Sequence, residues 1–124
     1  MRIFKTKPFA RFASGEGIVD AQLCDAISRA DKGLIDADLG GGVIKQRLAR
    51  RGQGRSGGFR SIVVFRRGDR AFFVYGFAKS DRDNIGRDEL KAFRKLADEL
   101  LALDSPALVA AEKNGTIMEI ECHG

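Results

Sequence analysis

Residues 71–77, AFFVYGF, form an apolar and aromatic run that has neither polar alternation nor a helical period. A strand that is apolar on both sides is typical of the central, buried position in a sheet. Residues 43–49 and 60–66 precede this run and predict neighbouring strands, and the second stretch is rich in β-branched and aromatic residues. The middle of the chain therefore predicts a sheet built from consecutive strands.

The segments on either side of these strands predict helices and two short strands. Residues 18–31 and 88–103 carry apolar residues at helical spacing, and Asp88 fits the N-cap of the second helix. The predicted core stripe of that helix is Leu90, Phe93, Leu96, Leu100 and Leu103. The other predicted elements are a strand at 2–5, a helical turn at 7–13, a turn at 38–42, a short helix ending near Lys113 and a terminal strand at 116–121.

These elements predict an α+β fold, in which a mainly antiparallel sheet of about four strands has helices packed on one face. A C-terminal tail with a short strand follows. The length of 124 residues, with 44% hydrophobic residues and nine Phe, suits a small single domain with one modest core. We assign residues 1–104 to the main domain and residues 105–124 to a C-terminal extension that packs on the same domain.

Composition argues against several classes of protein. No apolar run is long enough to cross a bilayer and the N-terminus, MRIFKTKPF, turns charged at once, so we expect a cytoplasmic protein. Cys24 and Cys122 resemble neither a short-spaced ligand pair nor a disulfide framework, and we expect two inert thiols. With His123 as the single histidine, we expect no metal site and no cofactor.

A glycine-rich stretch separates the first two of the three central strands. Gly52, Gly54 and Gly57 spell G-x-G-x-x-G, but a strand follows them where the dinucleotide fingerprint requires a helix. Protein kinases place such a loop between strands, yet this chain lacks their catalytic and metal-binding Asp motifs and their length. We interpret the stretch as a flexible loop. It carries Arg50, Arg51 and Arg55.

Positive charge is concentrated in the same part of the chain. The formal net charge is +5, and residues 45–70 contain nine basic residues against one acidic residue, so the remainder is net negative. Such a block on strands and a glycine-rich loop is the electrostatic footprint of a protein that binds a phosphate backbone, to which we expect Arg51 and Arg55 to contribute nonspecific affinity. The alternative is a solvated basic face without a ligand. The nine residues are Lys45, Arg47, Arg50, Arg51, Arg55, Arg60, Arg66, Arg67 and Arg70.

Strand alternation predicts which of these residues meet. Ile44 and Leu48 should point to the core, which leaves Lys45 and Arg47 on the open side.

A hairpin closed at residues 67–70 with Arg66 opposite Ala71 places Arg60 opposite Phe77. The same face then carries Phe73, Tyr75 and Lys79. The residues predicted to converge on one concave basic surface under the glycine-rich loop are Arg47, Arg60, Tyr75 and Lys79. The alternative for Tyr75 is core packing.

The run GGVIKQRLARRGQGRSGGFR, residues 41–60, resembles the RelE/ParE toxin superfamily, and in particular its RelE and HigB-like branch. SIVVF, AFFVYGFAKSD and RDELKAFRKLADELLAL, which follow it, resemble the remaining strands and the C-terminal helix of that branch. The resemblance implies a small basic cytosolic toxin of a type II toxin-antitoxin pair. It further implies an mRNA interferase that cleaves mRNA on the ribosome, and a neutralising antitoxin, expected to bind DNA and to be encoded by a neighbouring gene.

The resemblance extends to individual residues. Basic residues of the family fall on Lys45, Arg47, Arg60 and Lys79. The glycines of its loop fall on Gly52, Gly54, Gly57 and Gly58. Many relatives have G-K-G-K where this chain has Gly-Gln-Gly-Arg at 52–55, and the Tyr that some relatives carry in the last helix region is absent.

The departure at 52–55 affects the chemistry that the resemblance implies. Cleavage by the 2′-hydroxyl of RNA needs a general base, an acid and fixed positive charge. Arg55 can stabilise charge but cannot act as a base, because arginine stays protonated in proteins. Lys79 is the leading candidate for the base, because burial after the apolar strand and the positive neighbours should both favour a neutral amine, and Lys45 is the alternative.

Three functions use such a positive face. The first is a ribosome-dependent endoribonuclease in which Arg47, Arg55 and Arg60 stabilise the phosphorane. The second is a ParE-like toxin that inhibits DNA gyrase by binding it. The third is an RNA-binding module without catalytic activity.

Overall fold

The computed structural model describes residues 1–50 and 54–122, with the backbone alone for residues 49, 50 and 54–57. The strands are β1 (Arg2–Thr6), β2 (Ala37–Gly40), β3 (Val43–Arg50), β4 (Gly54–Arg66), β5 (Arg70–Ala78) and β6 (Ile117–Ile120). The helices are α1 (Lys7–Glu16), α2 (Asp20–Asp31), α3 (Arg87–Leu101) and α4 (Ser105–Lys113). This is the predicted α+β class, with more strands than the sequence indicated.

The strands form one mixed sheet in the order β2-β3-β4-β5-β1-β6. Only the β1–β5 pair is parallel, and β5 also pairs antiparallel with β4. Almost every residue of β5 is buried, which confirms that the apolar run is an interior strand. The C-terminal segment is part of this sheet, because β6 pairs antiparallel with β1.

Helices cover both faces of the sheet. Residues of α1 and α2 pack with one set of strand residues, which includes Leu48 and Phe73. Residues of α3 and α4 pack with a second set on the opposite face, which includes Ile62 and Phe72. The prediction of helices on one face is wrong for a physical reason: a strand that is apolar on both sides needs cover on both sides.

The apolar stripe of α3 is as predicted, but the start of the helix is not. Leu100 lies in the buried core cluster on that face, and the other four predicted stripe residues are partly buried and pack against it, although Leu103 lies just beyond the end of α3. The N-cap is Gly86, and Asp88 lies in the first turn. The backbone N–H of Gly86 donates to Oε1 of Glu89 at 2.7 Å. A carboxylate of the first turn therefore accepts from the backbone N–H of the N-cap residue.

The β4–β5 hairpin has a bulge that changes the predicted faces. Arg60 lies opposite Phe77 as predicted, but Arg66 pairs with Arg70 and not with Ala71. The register shifts by one residue between Ile62 and Val63. Because a bulge inserts one residue into a strand, side chains before and after it exchange faces.

The consequence is that Phe73 and Tyr75 lie on opposite faces. Phe73 belongs to the cluster under α1 and α2, and Tyr75 packs against the cluster under α3. The predicted grouping of both residues on one face is therefore wrong.

Residues 38–42 were predicted to be a turn, but the first part of this segment is the edge strand β2. Gly40, Gly41 and Gly42 all have positive φ and make the connection to β3. A Cβ at Gly41 would lie 2.9 Å from Cγ of Arg94, so this turn passes close to the α3 side chain. Arg94 also donates from Nε to the Leu39 carbonyl oxygen at 3.1 Å, which holds α3 against β2.

The two cysteines are bonded to each other. Cys24 of α2 and Cys122, just beyond β6, form a disulfide with their Cα atoms 5.8 Å apart, although they are 98 positions apart in sequence. The expectation of two inert thiols is wrong, because the pairing of β6 with β1 brings the end of the chain beside α2. Among the helices described, none combines the length and the apolar character that a membrane span requires.

Candidate functional site

Three of the predicted site residues lie on adjacent strands, on the sheet face that packs against α3. Lys45 and Arg47 alternate along β3 with the buried Ile44 and Leu48, as predicted. Arg47 is the direct partner of Arg60 in the β3–β4 register. Paired residues of a sheet point to the same side, so two guanidinium groups start from neighbouring positions on one face.

Arg60 is a buried positive charge. Only 7% of the residue is exposed, and its Nη1 donates to the Phe59 carbonyl oxygen at 3.4 Å. Within the described residues, no carboxylate forms an ion pair with it. Burial lowers the pKa of Arg60 and the neighbouring Arg47 lowers it further, while Asp36 acts in the opposite direction. Such a charge lacks direct neutralisation, which favours the binding of an anion.

The backbone of β3 beneath Arg47 is held by α2 and the segment that follows it. The Arg47 N–H donates to Oδ2 of Asp36 at 2.6 Å, and its carbonyl oxygen accepts from Nη2 of Arg29 at 2.9 Å. The neighbouring Gln46 is fully buried and donates from Nε2 to the Ala26 carbonyl oxygen at 2.9 Å. The strand that carries Lys45 and Arg47 is therefore fixed to the opposite helical layer.

Lys79 lies just beyond β5 and is exposed. Its backbone N–H donates to the Gly58 carbonyl oxygen at 3.2 Å, which continues the β4–β5 ladder by one residue. The sequence argument for Lys79 as a base invoked burial of the side chain, and that premise is wrong. Its position at the end of the strand next to Arg60 remains compatible with a role at this face.

Tyr75 is half-buried and packs between aromatic rings. Its ring centroid lies 5.9 Å from that of Phe77 and 5.7 Å from that of Phe93. Its hydroxyl oxygen accepts a hydrogen bond from Nη1 of Arg82 at 3.1 Å. The ring of Tyr75 therefore packs in the core, which was the alternative considered from the sequence. Its hydroxyl group takes part in a network of polar side chains.

Arg82 is the residue of this network that the sequence did not reveal. Its Nη2 and Nη1 donate to the two carboxylate oxygens of Glu89 at 2.5 and 3.1 Å, and its Nε donates to the Asn84 carbonyl oxygen at 2.9 Å. Oδ1 of Asn84 in turn accepts from Nζ of Lys45 at 3.4 Å. The available signal was a basic residue shortly after the central strand, but its side-chain partners Tyr75 and Glu89 lie on β5 and α3.

Much of the predicted glycine-rich loop is strand. Gly54, Gly57 and Gly58 belong to β4, and Gly54 pairs with Arg50 of β3. Residues 51–53, which join the two strands in sequence, lie outside the described residues. Arg51 and Gly52 are among them, so their predicted roles stay predictions. The same holds for the side chains of Arg50 and Arg55, whose proposed contacts with phosphate stay predictions.

The remaining basic residues of the 45–70 block lie at the other end of the sheet. Arg66 donates to the Leu101 carbonyl oxygen at 3.1 Å, and Arg70 donates to that of Leu103 at 2.7 Å, both at the C-terminal end of α3. Arg67 donates to the carbonyl oxygen of the last residue of α2 at 2.8 Å. Cations at helix C-termini satisfy free carbonyl groups and complement the helix dipole. These three arginines therefore have a structural explanation that needs no phosphate.

The fold and this face together define a class of protein: a small basic α+β domain with a pair of arginines on adjacent central strands and an adjoining polar network. A family model described as the RelE toxin of the RelE/RelB toxin-antitoxin system matches residues 1–120. The chain belongs to this family, and it is a toxin of a toxin-antitoxin system whose partner is a cognate antitoxin. A search of curated proteins returned no match.

Proposed function

We propose that this toxin is an endoribonuclease that cleaves mRNA on the ribosome and thereby inhibits translation in the cytoplasm. The observation that carries the proposal is Arg60, a buried guanidinium with no carboxylate ion pair among the described residues, beside Arg47 on the next strand. Two guanidinium groups that start from paired positions on one face suit a phosphate group, which can accept from both.

The proposed chemistry is attack of a 2′-hydroxyl on the adjacent phosphate, which forms a bond from the 2′-oxygen to phosphorus and breaks the bond to the 5′-oxygen of the next nucleotide. The 5′-oxygen leaves with a proton taken from water. Arg47 and Arg60 stabilise the negative charge that grows on the phosphorane, and the buried Arg60 is already in place before the reaction begins. Arg55 adds charge from the glycine-rich stretch. The reaction needs no metal ion, since the charge stabilisation comes from guanidinium groups.

The proton of the attacking hydroxyl needs an acceptor. Lys79 is the proposed base, since it directly follows β5, the strand that pairs with β4 and lies next to Arg60. Lys45 is the second candidate, on the same face and bonded to Asn84. Tyr75 borders this face and contributes its polar edge to RNA binding. The residues proposed to contact the RNA backbone are Lys45, Arg50, Arg51, Gly52, Gly54, Gly57 and Gly58.

The antitoxin is proposed to be a small DNA-binding protein encoded by a neighbouring gene, with an acidic or strand-forming segment that covers the basic face or a sheet edge. Production of the toxin in cells without such a partner should therefore impair growth. Purification of the chain alone in high yield from a host that grows normally would argue against the proposal.

The deciding experiment is inducible expression in a bacterial host, with the 5′ ends of cellular transcripts mapped after induction. Translation arrest with newly cleaved mRNA supports the proposal, and Arg60→Met should abolish both effects. Induction of the DNA-damage response with intact mRNA would indicate a ParE-like gyrase inhibitor. Normal growth with intact mRNA, together with RNA affinity in vitro, would indicate an RNA-binding module without activity.

A further inference from the structure

The segment between β5 and α3, residues 79–86, is organised around the side chain of Arg82. Four of its five N–H donors are engaged: two with the carboxylate of Glu89, one with the Tyr75 hydroxyl and one with the Asn84 carbonyl oxygen. The guanidinium carbon lies 5.6 Å from the centre of the Phe77 ring, a cation–π distance. One side chain thus connects this segment with β5 and α3.

The network reaches two residues of the proposed RNA-binding face. Asn84, whose carbonyl oxygen is bound by Arg82, uses Oδ1 to accept from Nζ of Lys45. Tyr75 accepts from Arg82 directly, so its hydroxyl is fixed on the same face. Phe77, under the guanidinium, is the cross-strand partner of Arg60. Arg82 therefore contacts or supports residues that can bind RNA, without belonging to that set itself.

The charge of Arg82 is already matched. The hydrogen bonds that Arg82 donates to Glu89 and Tyr75 raise the pKa of Arg82, and the bond from Arg82 is the main cause that lowers the pKa of Glu89. This bidentate pair contrasts with Arg60, which has no such carboxylate. A guanidinium held by a carboxylate, a hydroxyl and a carbonyl oxygen has little capacity left for a phosphate.

We propose that Arg82 is a positioning residue of the RNA-binding face, which with Glu89 holds Asn84 and Tyr75 so that Lys45 and the Tyr75 hydroxyl are presented to RNA. It is not itself a phosphate ligand. This inference rests on the proposed function, because it assigns a role in the same site.

The test measures binding of a fluorescently labelled single-stranded RNA over a series of salt concentrations. The variants are Arg82→Gln, Glu89→Gln, Lys45→Gln and the double variant of the last two. Arg82→Gln and Glu89→Gln should each weaken binding by about 3- to 10-fold, the scale of one misplaced hydrogen-bonded contact. The double variant should lose less affinity than the product of the two single losses, because Glu89 acts in part through Lys45.

A matched control is the pair of Arg2 and Glu119, which also joins two nitrogens of one arginine to two oxygens of one glutamate, at 2.9 and 3.0 Å. It lies at the opposite end of the sheet, where Arg2 pairs with Arg70. Glu119→Gln should lower the thermal stability without changing RNA affinity. This comparison separates positioning from a general loss of stability.

Opposite results overturn the inference in recognisable ways. If Arg82 were a phosphate ligand, Glu89→Gln would release it, tighten binding and steepen the salt dependence by about 0.7 in the logarithmic slope. Wild-type affinity in both Arg82→Gln and Glu89→Gln would show that the network has no role in binding. If Arg60→Met weakens binding while these variants do not, only this inference fails; a wild-type protein without RNA affinity overturns the proposed function as well.

Discussion

Arg60 is a charged residue at a position where a charge costs folding free energy. It is almost fully buried, burial lowers its pKa, and within the described part of the chain it has no carboxylate ion pair. Buried charges that are not paired are normally removed by selection for stability. A perturbed, buried cation is therefore better explained by function than by packing.

This reasoning gives opposite expectations for stability and binding. We expect Arg60→Met, which keeps much of the volume, to raise the free energy of unfolding by about 1 kcal/mol. RNA affinity should fall by about 10- to 100-fold, the equivalent of one charged hydrogen bond. Urea unfolding and RNA binding of the same preparation provide the two measurements.

Arg70→Met is the control for this substitution. Arg70 donates to the Leu103 carbonyl oxygen and forms an ion pair with Asp69 at 3.2 Å, so its loss should lower stability and leave RNA binding unchanged. A marked loss of stability in Arg60→Met would mean that Arg60 is held by interactions that stabilise the fold.

Lys79 separates catalysis from binding. Lys79→Arg keeps the positive charge but removes a side chain that can accept a proton at neutral pH. If Lys79 is the base, this variant should still bind ribosomes while mRNA cleavage falls by about 100-fold or more. Undiminished cleavage by both Lys79→Arg and Lys79→Ala would exclude it, and the same pair of substitutions at Lys45 would then be the next measurement.

At the scale of elements, β4 explains why the basic block of the sequence does not form one surface. Its 13 residues span about 40 Å at the usual rise of a strand. Arg60 therefore lies about 20 Å along the strand from Arg66, which binds the end of α3. A charge count along the sequence cannot separate two ends of one long strand.

The sequence predicted most elements because their patterns are local. Alternation of Ile44 and Leu48 with basic neighbours gave the correct faces of β3. Arg60 pairs with Phe77 as predicted only because the bulge offsets the one-residue error in the assumed closure of the hairpin. The bulge near Ile62 was not predictable, because β5 is apolar on both faces and its sequence has no alternation that would show which face each residue occupies. Arg82 was missed because its partner Glu89 lies on the next helix.

The start of α3 gives a prediction about pH. The hydrogen bond from Arg82, and then that from the Gly86 backbone, lower the pKa of Glu89 below its ordinary value of 4.5. A carboxyl group whose pKa is lowered by folding stabilises the protein above that ordinary value, and this contribution is lost as the pH falls through the folded-state pKa.

We therefore expect Glu89→Gln to melt at a lower temperature than the wild type at neutral pH. The difference should shrink as the pH falls below 4.5, because wild-type Glu89 then becomes protonated. Melting curves across this range measure it. A difference that is independent of pH would show that ionisation of Glu89 does not stabilise the helix start.

At the scale of the whole molecule, the sheet order joins the two ends of the chain. The N-terminal strand β1 lies between β5 and β6, so the C-terminal strand β6 forms the edge of the sheet next to it. α4 contributes Leu108 to the same core as α3. This closure brings Cys122 to Cys24, a contact between residues so distant in sequence that no local pattern indicates it.

The disulfide should make the stability of the whole toxin depend on redox conditions. A bridge between residues 98 positions apart restricts most of the unfolded chain. For a loop of roughly 100 residues, the loss of chain entropy corresponds to about 4.7 kcal/mol, or a melting temperature higher by about 15 °C for a domain of this size. Reducing compartments keep cysteines as thiols, so the bridge and its contribution to stability would be lost there.

We expect Cys24→Ser to lower the melting temperature by about that amount in oxidising buffer. A dithiol reductant converts the bridge of the wild type into two thiols and should lower its melting temperature to that of the variant. Cys24→Ser should not respond to the reductant, which is the control for effects elsewhere in the molecule. Equal melting temperatures of the wild type with and without reductant would show that the bridge does not stabilise the fold. RNA affinity below the melting temperature should be the same for both proteins, because α2 remains packed through Leu23 and Ile27 when the bridge is absent.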